Sequence, residues 1–353
     1  MEIIMDIGTT VLSQLQKPTL SFLIGGMMLA ALGSKFEIPP PVYKFIVILL
    51  LLKVGLGAGM SVRDADLIAL AVPAVAAAVA GVAIVALGTR TLARLNGVSK
   101  MDGMATAGLF GAVSASTLAA AMAMLDADGI AYEGFIGALY PFMDIAALVT
   151  AVVLGRMSAE RATAQGTNAS GTVTMGGGAG GPGLNMNSEL VRGILVDTLR
   201  SPAISALLLG LALGIFAKPD SVYESFYDPL FRGLLSILML IMGMEAWSRL
   251  SELRKVAHAY VLYGLTAPLI HGLIGFGLGL VAHHLTGFSA GGVILLAVMA
   301  ASSSDISGPP TMRAALPEAN PSAYVGSSTG LGTPVAILSI PLWVWLANLV
   351  IGI

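Results

Sequence analysis

The chain has 353 residues, 56% apolar and only 11% charged, with a mean hydropathy of +0.87. Soluble domains carry about 25% charged residues, so this composition excludes an ordinary water-soluble fold and points to an all-α polytopic membrane protein. A net charge of −2 gives no case for nucleic acid as a partner, and zero cysteines exclude disulfides, thiolate metal sites and cysteine nucleophiles.

The opening "MEIIMDIGTT" lacks the basic region of a signal peptide and reads as a lead-in to the first span. Apolar runs then lie near 18–34, 42–61, 67–94, 103–125 and 132–155, and a second set near 202–217, 229–248, 256–285, 290–316 and 323–352. Several approach the roughly 20 apolar residues that cross a bilayer as a helix. Between the sets, residues 158–192 are rich in Gly, Ser, Thr and Asn and read as a flexible linker. The expected organisation is a five-helix repeat over 1–157, the linker, and a second repeat over 193–353.

The two halves resemble each other. At an offset of 184, Pro18 falls on Pro202, Gly26 on Gly210 and Gly59-Met60 on Gly243-Met244; at 190, Ser114 falls on Ser304. An odd number of spans per half turns the second half upside down, and inverted repeats are a transporter signature. With the linker in the cytoplasm and alternating spans, Lys17, Lys53, Arg63, Lys218 and Arg232 fall outside and the other 13 of the 18 basic residues inside. That is the bias of the positive-inside rule, and it puts both termini outside. Trp343 and Trp345 fit an aromatic belt at the outer interface.

The fourth span of each half carries a polar interruption. The first holds "GLFGAVSASTLAAAM", with Ser114, Ala115, Ser116 and Thr117 at its centre; the second holds "AASSSDISGPP", with Ser302, Ser303, Ser304, Asp305, Ser307 and Gly308. Gly308-Pro309-Pro310 cannot continue a regular helix. Unwound backbone at membrane depth is tolerated only where protein buries it or it lines a cavity. Two such breaks facing each other bring four half-helix ends to the midplane. Half-helix N-termini suit an anion, while freed carbonyls, serine oxygens and the Asp305 carboxylate suit a hard cation such as sodium.

No Lys or Arg lies between Asp102 and Gly155, and Arg313 is the only one after Lys255. A core anion must therefore rely on backbone N–H groups, hydroxyls and a co-bound cation, which argues for a small, singly charged substrate. Asp144, three residues after Pro141, is a candidate cation ligand or gate, or alternatively a hydrogen-bond partner of a neighbouring helix end. Glu245 reads as a structural ion pair with Arg249, and His271 as a satisfied core histidine. The alternatives are sodium–proton antiport with Asp144 and Asp305 titrating, and an intramembrane aspartyl protease, whose Gly-x-Gly-Asp motif is absent.

Four strings, "GLFGAVSASTLAAA", "GALYPFMDI", "VYESFYDPLFRGLLSILMLIMGMEAWSR" and "AASSSDISGPPTMRA", closely resemble the SbtA-type sodium-dependent bicarbonate transporters of cyanobacteria. The resemblance runs from "QLQKPTL" to the C-terminus and is interrupted only at the linker. It implies ten spans as inverted repeats with a crossed, broken helix pair, in a fold like that of bile-acid–sodium symporters. It also implies sodium-coupled bicarbonate uptake across the plasma membrane for inorganic carbon concentration, a homotrimer, and a PII-like regulatory protein on the cytoplasmic face. No enzyme activity and no cofactor beyond the coupling sodium is implied. Carried onto this chain, bicarbonate falls to Ser114, Ala115, Ser116, Thr117, Ser302, Ser303 and Ser304. Sodium falls to Asp305, Ser304, Ser307, Gly308, Ser116 and Asp144. Another small monocarboxylate remains an alternative cargo.

Overall fold

The computed structural model describes residues 16, 18–63, 67–167, 192–193, 195–196, 199–253 and 258–353. The lead-in to the first span, most of the linker, Lys17, Arg254 and Lys255 lie outside them. Among the described residues the chain is helical, without strands. The helices are α1 (Pro18–Ala31), α2 (Pro40–Arg63), α3 (Leu67–Arg90), α4 (Lys100–Gly111), α5 (Ala115–Asp128) and α6 (Tyr140–Thr167). After the linker come α7 (Pro202–Phe216), α8 (Asp228–Leu253), α9 (His258–Thr286), α10 (Ala290–Ala301) and α11 (Gly308–Ala315). The chain closes with α12 (Pro321–Leu338) and α13 (Ile340–Val350), bent by 41° at the join. Helix α6 continues to Thr167, past the expected start of the linker at 158.

Local chemistry sets the boundaries. Ser99, Ser114, Ser201 and Ser289 cap α4, α5, α7 and α10, each accepting from an N–H three residues on. Prolines open α1, α2, α7 and α12, where the missing N–H costs nothing. Gly129 ends α5 in the left-handed conformation at φ 67°. Within α12, Gly326–Gly332 winds as a π-helix, which hydropathy does not register.

Among the described residues, six helices are long and apolar enough to cross a membrane, or up to seven with the bent α12–α13 pair counted as one. Helices α1, α7 and α10 are apolar but shorter; the 14 residues of α1 extend only about 21 Å. The α4–α5 segment is the interior element: 94% of its apolar window is buried, against 44% for α9. Its polar break is therefore enclosed by protein and not presented to lipid.

Packing crosses between the halves. Helix α1 lies on α8 and α2 lies on α7, while α3, α4 and α6 pack together and α9 packs on α10. Glycine permits the first two contacts. A Cβ on Gly26 would strike the Leu240 carbonyl of α8, and one on Gly243 would strike the Leu23 carbonyl of α1. With no hydrophobic force between helices in lipid, such close approach supplies the packing. Trp343 is fully buried and donates from Nε1 to Ser339 Oγ at 3.0 Å, so it belongs to the core and not to an interfacial belt; its indole needed a partner, and Ser339 one turn back supplies it.

Replacing Gly26 or Gly243 with leucine is expected to cost about 1–3 kcal/mol of stability through overpacking. Gly25→Leu, which meets nothing within 4 Å, is expected to be neutral. Thermal unfolding of the three detergent-solubilised variants checks this.

Candidate functional site

Helix α4 ends at Gly111 and α5 begins at Ala115, with Ala112 (ψ 161°) and Ser114 (ψ 121°) extended between them. Helix α10 ends at Ala301 and α11 begins at Gly308, with Ser302 extended at ψ 177°. The two breaks run past each other. Ser304 N donates to the Leu109 carbonyl at 2.8 Å. At the equivalent place, Ser114 N donates to Ser302 Oγ at 3.0 Å, and Ser302 passes its own proton to the Met299 carbonyl at 2.7 Å. Leu109 and Met299, like Ser114 and Ser304, are 190 apart. The same strand-like contact is thus made directly once and through a serine the other time.

A second pair of equivalent features follows from counting protons. Thr117 N donates to Ser114 Oγ (3.2 Å), Ser114 and Ser116 share a hydrogen bond (2.8 Å), and Ser116 donates to Asp305 Oδ2 (2.9 Å). A hydroxyl has one proton, so with Ser116 committed to the carboxylate it is Ser114 that donates to Ser116. In the other break, Gly308 N donates to Ser304 Oγ (2.8 Å), Ser304 and Ser307 share a bond (2.9 Å), and Ser307 donates to Asp144 Oδ2 (3.0 Å). Each relay runs from a helix N-terminus through two serines to a carboxylate supplied by the other half.

The two carboxylates differ. Asp144 is fully buried and both its oxygens are engaged, Oδ1 by Val113 N at 3.1 Å and Oδ2 by Ser307. It ties the first break to the second. Asp305 is only partly enclosed, and its Oδ1 is buried with no hydrogen-bond partner. Thr117 Oγ1 is likewise buried and unpartnered. Buried polar atoms are paired in the great majority of cases, so these two oxygens are open to a ligand, as is the buried, unpartnered hydroxyl of Tyr140 one turn before Asp144.

All the sequence-selected residues of the breaks therefore come together. Most of their hydroxyl protons, however, serve the framework: Ser114, Ser116, Ser302, Ser304 and Ser307 donate within the relays, and Ser303 pairs with Thr333 at 3.0 Å. Ala115 and Gly308 contribute backbone at the starts of α5 and α11. Thr333 and Thr311, which donates to the Ser307 carbonyl at 2.8 Å, were not selected from the sequence. Their only signal was position one turn from a proline or a break.

No group of three or more His, Asp or Glu side chains gathers among the described residues. A cation here would be held by one carboxylate with hydroxyl and carbonyl oxygens, a set suited to sodium and not to a transition metal. His271 is buried against Phe110 and Tyr263, with Tyr263 Oη 3.4 Å from Nε2, but its Nδ1 is buried without a hydrogen-bond partner, so it is a core histidine that is not fully satisfied. Glu245 is partly buried on α8; the side chain of Arg249, its expected partner, lies outside the described residues.

Removing the Asp144 carboxylate strands two buried donors. Asp144→Ala is expected to lower stability by about 1–3 kcal/mol for each. Asp144→Asn, which keeps an acceptor for Val113 N, is expected to lose less. Equal losses in thermal unfolding would show that charge, and not acceptor geometry, matters at this position.

Two short breaks, each completed by a carboxylate from the opposite half, enclose an unpartnered carboxylate oxygen in an otherwise apolar helical protein. The comparison with curated proteins returns no match. A family model, the Na+-dependent bicarbonate transporter superfamily, matches residues 18–348, which takes in both breaks and every helix described except the last two residues of α13. The chain belongs to the Na+-dependent bicarbonate transporter superfamily, a family of transporters and not of enzymes.

Proposed function

We propose that this chain imports bicarbonate by sodium symport through the two breaks, across the plasma membrane, in support of inorganic carbon concentration. The observation that carries the reading is the difference between the carboxylates: both oxygens of Asp144 accept a hydrogen bond, from Val113 N and from Ser307, whereas Asp305 keeps one buried oxygen without a partner. Sodium binds at Asp305 with oxygens of Ser116, Ser304, Ser307 and Gly308; Asp144 acts on the site through Ser307. Bicarbonate lies at the start of α5, beside Ala115, Ser116 and Thr117 and across from Ser302–Ser304, with the helix dipole and the bound cation in place of a basic side chain. Another small monocarboxylate is the alternative cargo.

The organisation proposed with it is ten spans in two inverted five-helix halves. Its support is the reciprocal packing of α1 on α8 and α2 on α7, the matched capping serines 99 and 289, and the paired relays. With the bent α12–α13 pair counted as the seventh long span, the short helices α1 and α7 and the broken α10–α11 segment bring the number to ten. The linker is assigned to the cytoplasm and both termini to the outside by positive-charge bias; the homotrimer and the PII-like regulator are proposed from the family resemblance. Equal numbers of Na+ and bicarbonate move no net charge. Each further Na+ would add about 2.3 kcal/mol of drive per 100 mV.

Uptake of labelled bicarbonate into cells, with and without sodium, tests the activity. Asp305→Asn is expected to abolish the sodium-dependent component while the protein still reaches the membrane and unfolds cooperatively. Uptake retained in that variant would remove Asp305 from the sodium site.

A further inference from the structure

Lys53 sits in the middle of α2, an apolar span, with only 7% of its surface exposed. Its Nζ lies 4.3 Å from the centre of the Phe231 ring and 5.6 Å from that of Tyr223. Its carboxylate partner is Asp228 at the start of α8, with Oδ1 3.3 Å away, and the Asp228 side chain is 61% exposed. The pair is lopsided. The ammonium is held by two rings whether or not the carboxylate is present, while the carboxylate is largely uncovered by protein and can turn away. A charge within a span is expensive and calls for a function, and the cargo proposed above is an anion whose deep site lacks any basic residue.

The surroundings connect this cation to that site. Asp228 and Arg232 lie one turn apart on α8. Arg232, Leu235 and Ser236 of α8, with Pro18 and Thr19 of α1 and Ala123, Met124 and Ala127 of α5, line a cavity of about 110 Å³. On α5, Ala127, Met124, Ala120 and Thr117 follow at helical spacings of three and four, so the cavity borders the helix face whose inner, fully buried end carries the unpartnered Thr117 hydroxyl. From Ala127 to Thr117 is about 15 Å along the helix. Tyr132, in the loop after α5, has its hydroxyl pKa pushed up by burial, then by the charge and hydrogen bond of Asp126, with Tyr223 and Asp228 adding to it.

We propose that Lys53 and Arg232 form an anion-collecting entry site at the mouth of the cleft between α5 and α8, in which Asp228 occupies Lys53 until a small singly charged oxyanion displaces it. The anion then passes by way of the Arg232 cavity along the α5 face to Thr117. This rests on the symport reading for the identity of the anion, bicarbonate, and for the outward direction of this mouth. Lys53 is a specificity-determining residue here: it selects charge at entry and takes no part in the deep site.

The test is the kinetics of sodium-dependent bicarbonate uptake. Lys53→Gln is expected to raise the half-saturating bicarbonate concentration about tenfold, the lower end of electrostatic focusing, with maximal rate and sodium half-saturation unchanged. Lys53→Arg should retain the wild-type value. Asp228→Asn should leave half-saturation equal or lower, because the competitor is gone. The charge exchange Lys53→Asp with Asp228→Lys should not recover it. A merely structural ion pair makes the opposite forecast: Asp228→Asn as harmful as Lys53→Gln, and recovery in the exchange. Either result overturns the proposal, and if Lys53→Gln does not reach the membrane, the direction of the Asp228→Asn change decides alone. Absence of bicarbonate uptake by the wild-type chain would instead refute the symport reading. The entry site is then judged by the bicarbonate-dependent thermal shift of purified Asp305→Asn protein in sodium buffer. Loss of that shift on adding Lys53→Gln supports the site, and its absence or persistence overturns it.

Discussion

A helix broken inside a membrane must find partners for its own freed N–H and carbonyl groups, because no lipid will supply them. Here that requirement is met by hydroxyl relays of the same pattern, Thr117 N through Ser114 and Ser116 to Asp305, and Gly308 N through Ser304 and Ser307 to Asp144. Because each carboxylate comes from the half opposite its serines, neither break is complete alone. The halves are interlocked at the point where the backbone is weakest.

The pairing also separates two roles that the sequence presents as alike. Both aspartates lie in apolar spans and both end a relay. Val113 N engages the second oxygen of Asp144, so both oxygens of that carboxylate already serve the framework. Asp305 sits in the longer break, where no equivalent backbone N–H reaches its Oδ1, and the group stays partly enclosed. A cation there supplies a partner that Asp305 Oδ1 lacks, whereas both oxygens of Asp144 are already partnered. That difference is why the proposed sodium site is centred on one aspartate and only braced by the other.

Much of this was legible from the chain. Apart from α6, which continues to Thr167 past the expected end of its run at 155, the apolar runs located the helices to within a few residues, since a membrane interior demands nearly continuous apolar sequence. Clustered serines beside Gly308-Pro309-Pro310 located both breaks, since few other reasons exist for hydroxyls and helix breakers at that depth. The pairing of hydroxyls was not legible: which serine donates to which carboxylate depends on how two segments 190 residues apart pass one another. Ala112, standing where the second half has Ser302, gave no hint that one crossing contact is direct and the other relayed. The π-helical turn at Gly326–Gly332 was invisible because its composition suits an α-helix equally well. Trp343 was misplaced for a similar reason: amphipathic aromatic residues fit a belt or a core, and only Ser339 one turn earlier decides between them. Lys53 read simply as an outer-side charge, because the rings that enclose it come from α8 and the turn before it.

Ties at the far ends of the broken helices bear on how the site could move. Glu133, in the loop after α5, accepts from Ser289 N at 2.6 Å and from Ser289 Oγ at 2.9 Å, at the start of α10. Asp102, in the first turn of α4, accepts from Asn320 N at 2.7 Å, in the loop after α11. Each broken segment is thus bound at its end to the loop that follows the other, in addition to the contacts at the breaks. A motion that separated α4–α5 from α10–α11 would rupture charge-assisted hydrogen bonds at three levels, each stronger than a neutral one. The contacts of α5 with α1 and α8 are of another kind: they include the apolar cavity walls Ala123, Met124, Leu235 and Pro18, where sliding breaks no hydrogen bond. In the proposed symport the pair of broken segments therefore carries its ions as one body, and the surface along which it slips is the one that Lys53 and Arg232 border.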